Sequence, residues 1–140
     1  MFAPSRDDVR NFFAETWRKH RARAVLTAME SMAVDIILAH PEYQQTLLSG
    51  DQALESEFTV EQGQTNPFLH MSLHLAVEEQ LSIDQPPGLR RAFENLLAKS
   101  HDRHAALHAV LECLGETVWR AQRDAAALDA EAYLECVRRR

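Results

Sequence analysis

Two stretches of this chain place two histidines and a glutamate at intervals of four: His70, His74 and Glu78, then His104, His108 and Glu112. Residues four apart share a face where the backbone turns about 100° per residue, so both stretches point to α-helix. Each lies in an apolar setting, "NPFLHMSLHLAVEE" and "HAALHAVLE". In the first, Leu69 and Leu73 flank the imidazoles on one side, and Met71 and Leu75 on the other. In the second, His101, Glu112 and Trp119 fall within about 40° of His108, with Leu107, Leu111, Leu114 and Val118 alongside. Both histidine stripes are therefore expected on buried faces. Gly115 shares the second face, where a missing side chain suits close approach of a neighbouring helix.

Helix punctuation extends the pattern along the chain. Ser5 is placed to cap a first helix, with Asp7 and Asp8 in its first turn and the basic run "WRKHRAR" closing it near Arg23. Thr27 and Glu30 form a capping box ahead of "MAVDIILAH", which Pro41 ends, and "EYQQTLL" makes a short helix up to Gly50. From Ser49 to Thr65 the apolar period is lost, although "DQALESE" suits one more turn, and this polar stretch is expected to lie over the histidines as a partial lid. Asn66 followed by Pro67 is a helix start, expected to run to about Ser82. After "DQPPG" come the amphipathic "LRRAFENLLAK", a long helix opened by Ser100 or His101 and reaching Arg123, and a last helix capped by Asp129. No alternating strand pattern competes. The expected fold is all-α, a single-domain bundle of about five to seven helices over residues 1–140.

Composition sets the outer limits. A chain of 140 residues, 46% of them hydrophobic, suits one core. The net charge of -6 speaks against general nucleic-acid binding, which needs a basic face; the clusters at Arg18–Arg23 and Arg138–Arg140 read as helix C-termini complementing the dipole. Charges or histidines interrupt every long apolar stretch, which argues against a membrane span, and the acidic start lacks the apolar region of a secretory signal. The expectation is a cytoplasmic protein, compatible with a homo-oligomer. Cys113 and Cys136 lack CxxC spacing, so in that compartment both are expected as free thiols.

Imidazoles four apart on a helix can share one ion, and two facing pairs would supply four ligands. His70, His74, His104 and His108 are thus the candidate ligands of a divalent transition metal: zinc, iron, nickel or copper. Glu78 and Glu112 are the candidate catalytic carboxylates, able to activate a metal-bound water in a hydrolase or transferase. The alternative is a non-enzymatic interaction module whose histidines form a hydrogen-bonded polar core. No P-loop, GxGxxG or GxSxG motif points elsewhere.

The segments "MFAPSRDDVRNFF", "GQTNPFLHMSLHLAVEEQLSIDQPPG", "HAVLECLGETVWRAQR" and "YLECVRR" together resemble a bacterial family catalogued only as a domain of unknown function, number 1841. The likeness covers nearly the whole chain. It implies a small helical protein of proteobacterial type, and it brings no established activity or catalytic residue.

Overall fold

The computed structural model describes residues 6–48 and 67–140. Among these, seven helices are present and no strand: α1 (Arg6–Arg21), α2 (Ala28–Leu38), α3 (Pro41–Leu48), α4 (Pro67–Ile83), α5 (Leu89–Ser100), α6 (Arg103–Arg123) and α7 (Ala130–Arg139). The all-α expectation holds. The caps expected at Ser5 and Asn66, and the stretch from Ser49 to Thr65 with its expected lid, lie outside the described residues. By contact, the chain forms two compact units, Met1–Leu75 and Ala76–Arg140, with the division falling inside α4.

In the first unit, α1, α2, α3 and the start of α4 bury apolar side chains at helical spacing: Phe13 and Trp17; Ala33, Ile36 and Ile37; Leu47; Phe68 and Met71. Each large side chain so removed from water contributes about 1.5–3 kcal/mol before the entropy of ordering it is deducted. The Thr27 capping box forms as expected. The hydroxyl of Thr27 accepts from the Glu30 N–H, and the Glu30 carboxylate accepts from the Thr27 N–H. Lys19, in the basic last turn of α1, donates to the same carboxylate at 3.0 Å. These bonds hold the Glu30 carboxyl below its usual range, the Thr27 N–H most strongly and Lys19 next.

In the second unit, α5 buries Leu89, Ala92, Phe93 and Leu96, and α6 buries Leu107, Val110, Leu111 and Leu114. From α7 come Tyr133, Leu134 and Val137, and from the end of α4 come Val77 and Leu81. The "DQPPG" link is tightly organised. Its Gln85–Pro86 bond is cis, the Asp84 carboxylate accepts the Arg90 N–H at 3.0 Å, and the Arg90 guanidinium donates to the carbonyls of Leu81 and Ser82 at the end of α4. Carbonyls left over at a helix end thus gain cationic donors. Asp129 caps α7 by accepting from the Ala132 N–H, as expected.

Three sequence expectations need correction here. His101 does not open the long helix: it closes α5 in the left-handed region at φ 59°, and Asp102 caps α6 by accepting the His104 N–H. Among the described residues nothing lies within 4 Å of where a Cβ on Gly115 would stand, so none of them approaches that glycine closely. Cys113 and Cys136 are not free thiols but a disulfide, with Cα atoms 5.7 Å apart. Compartment and motif spacing say nothing of the pairing of α6 with α7, which brings residues 23 apart in the chain to bonding distance.

Candidate metal centre

The residue that organises the site is His40, at the junction of α2 and α3. Proline disfavours helical backbone in the residue before it, so α2 stops ahead of Pro41 and His40 becomes the hinge between two helices. Its N–H donates to the Ile37 carbonyl at 3.0 Å and its carbonyl accepts from the Tyr43 N–H at 3.0 Å. With the backbone satisfied, the ring turns inward and is 2% exposed. Nδ1 lies 2.8 Å from the Ile36 carbonyl oxygen. A carbonyl only accepts, so Nδ1 carries the hydrogen and a neutral ring presents its lone pair at Nε2.

That lone pair points at α4. His70 and His74 stand one turn apart there, their ring centroids 4.8 Å from each other and 4.9 and 4.6 Å from that of His40. His74 is buried and His70 half-buried. The Nε2 atoms of His40 and His70 approach to 3.1 Å, and all three residues offer ring nitrogens within 4.8 Å of one another. Two lone pairs at such a separation repel, so either a proton or a cation must lie between them. Nitrogens bound to one tetrahedral metal at about 2.0–2.1 Å stand roughly 3.3 Å apart, close to the spacing seen. Tyr43 walls the cluster, its ring parallel to His40 with centroids 5.3 Å apart and edge-on to His70 at 5.9 Å. Burial first, and then the Glu42 charge, raise the Tyr43 hydroxyl above its ordinary pKa.

Of the expected ligands, the first unit therefore brings His70 and His74 together. His104 and His108 belong to the second unit, where both are half-buried with ring centroids 4.1 Å apart. The two candidate carboxylates are engaged in ion pairs. Glu78 accepts two bonds from the Arg103 guanidinium, at 2.9 and 3.1 Å, and Glu112 accepts one from Arg140 at 2.7 Å. Trp119, expected on the inward face, is 57% exposed and carries the Arg123 guanidinium 4.9 Å from its ring centre. Helical phase says which way a side chain points. It does not say whether another element reaches that turn.

His40 and Tyr43 were missed from sequence. One signal was available: an imidazole ending the apolar run "MAVDIILA", directly before a helix-stopping proline. It lacks the repeat that marks the other four histidines.

The family model for a domain of unknown function, DUF1841, matches residues 5–139. The chain belongs to that family. No curated protein and no solved structure matches this DUF1841 chain. Membership in DUF1841 assigns no role to any residue.

Proposed function

We propose that this chain is a transition-metal-binding protein whose centre is built on His40, His70 and His74. The carrying observation is the orientation of His40. Its Nδ1 faces the Ile36 carbonyl oxygen at 2.8 Å, so in a neutral ring the nitrogen open to a metal is Nε2, which stands 3.1 Å from the Nε2 of His70. A backbone acceptor that fixes the tautomer of a ligating imidazole recurs in protein metal sites. Imidazole-rich ligation suits zinc, copper, iron or nickel.

His104 and His108, which share the spacing that marks His70 and His74 in the sequence, are proposed as the pair from which a fourth protein ligand comes. The count matters for function. Four imidazoles close a tetrahedral site, whereas three leave a position for water and substrate. The hydrolase or transferase reading needs that open position and a general base besides. Glu78 or Glu112 would have to leave Arg103 or Arg140 to serve.

The same 3.1 Å separation favours a second reading, in which a proton shared by His40 and His70 completes a hydrogen-bonded core and the protein is a helical interaction module. Metal analysis of untagged protein, purified without chelators, separates the two. Near-stoichiometric metal is expected. Metal-free protein that also refuses added zinc, copper, iron and nickel at neutral pH would leave the hydrogen-bonded core as the account.

A further inference from the structure

A second chemically active feature lies in the second unit, at the disulfide. Its two cysteines are unequally buried. Cys113 sits in the α6 core at 0% exposure, whereas Cys136 is half-buried and lines an open groove of about 450 Å³. Arg120, Arg139 and Arg140 border that groove with Glu116 and Glu135. The arginines pair with Glu116, Glu135 and Glu112 respectively, and every partner in these pairs is at least 39% exposed. Exposed pairs of this kind are worth at most about 1 kcal/mol, so an incoming carboxylate can replace a glutamate. The groove is open, admits a small molecule and offers exchangeable guanidinium groups beside Cys136.

We propose that Cys113–Cys136 is a thiol-exchange site, opened at Cys136 by a small thiol bearing carboxylates. The thiolate attacks Sγ of Cys136, a new sulfur–sulfur bond forms there, and the Cys113–Cys136 bond breaks. The electron pair of that bond leaves on Cys113, whose thiolate takes a proton from water. A second thiolate attacking the bound thiol's sulfur then releases Cys136 as a thiolate. Two thiols are oxidised to their disulfide as one protein disulfide is reduced to two thiols. The direction follows from access, because Cys113 is enclosed. α7 keeps its buried Tyr133, Leu134 and Val137 throughout, so opening the bond loosens this helix without removing its core contacts.

The test uses the full chain purified without reductant, with reduced glutathione as the carboxylate-bearing probe and cysteamine as a cationic one. After acid quenching, peptide mapping is expected to find the mixed disulfide on Cys136. At equal thiolate concentration and low salt, glutathione should react roughly 10-fold faster than cysteamine. Arg120→Gln combined with Arg139→Gln should bring that ratio towards one. Cys113→Ser should take up glutathione from its oxidised form at Cys136, while Cys136→Ser should leave Cys113 unmodified in the folded chain. Should either cysteine variant lose helix content, mapping on the wild-type chain decides alone. Free thiols in the purified protein, an adduct on Cys113, equal rates for the two probes, or no adduct short of denaturation would each overturn the proposal.

Discussion

The Nε2 atoms of His40 and His70 stand 3.1 Å apart although 30 positions separate them in the chain. An ion held between them would link the α2–α3 junction to α4 directly, so binding and folding of the first unit should be coupled.

His40→Ala is therefore the most telling substitution. It should weaken metal binding by more than the roughly 10–100-fold that loss of an outer-shell partner brings, with far-UV helix content retained. His70→Ala and His74→Ala should behave alike, and His108→Ala should match them only if four imidazoles bind. In a hydrogen-bonded core, the same changes would lower stability by about 1–3 kcal/mol and leave a metal content of zero unaltered. Elemental analysis and thermal unfolding on the same samples distinguish these results.

Metal occupancy should fall as pH drops through the imidazole range, near 6.5 for an unperturbed ring, because protons and the ion compete for the same lone pairs. The stabilisation given by the metal is present above that range and lost below it. Melting temperatures with and without added metal, followed from neutral to mildly acidic pH, should converge at the acidic end.

Tyr133 is fully buried, and its hydroxyl donates to Gln80 Oε1 at 2.7 Å. Tyr133→Phe should lower stability by about 0.5–1.5 kcal/mol, measured by denaturant unfolding. Burial pushes this hydroxyl well above its ordinary value of 10.0. Its contribution is complete below that value and declines as pH rises beyond it, since the unfolded chain loses the proton first. The alkaline loss of stability should be smaller in Tyr133→Phe.

Two backbone substitutions should stabilise the protein. Gly115 lies inside α6, and no other described residue occupies the space a side chain would take, so Gly115→Ala should add roughly 0.5–1 kcal/mol. His101 holds a left-handed conformation at the end of α5, and His101→Gly should add about 1 kcal/mol by relieving it. Neither change should alter metal content, which would separate His101 and Gly115 from the proposed centre. Chemical denaturation and elemental analysis check both.

Much of the fold was legible because its signals are local. The Thr27–Glu30 box, Pro41, Pro67 and Asp129 each mark a helix end through their own backbone chemistry, and each marks it where expected. His70 and His74 were legible for the same reason, being neighbours on one helix. His40 was not, because its partnership with them depends on tertiary packing across 30 positions. The Cys113–Cys136 bond was not legible either, since no local spacing announces two helices side by side. Gly115 shows the opposite case: its place on the histidine face implies a close neighbour, and among the described residues none stands there.

Residues 124–129, joining α6 to α7, are exposed throughout. Because Cys113 and Cys136 are bonded on either side of them, the peptide chain there is not the only covalent path between the two helices. A protease that cut this turn would leave a two-chain molecule of unchanged size under non-reducing conditions, and the C-terminal fragment would separate only after reduction. The turn is thus the place where the chain can be opened, or a foreign segment inserted, without releasing its last helix.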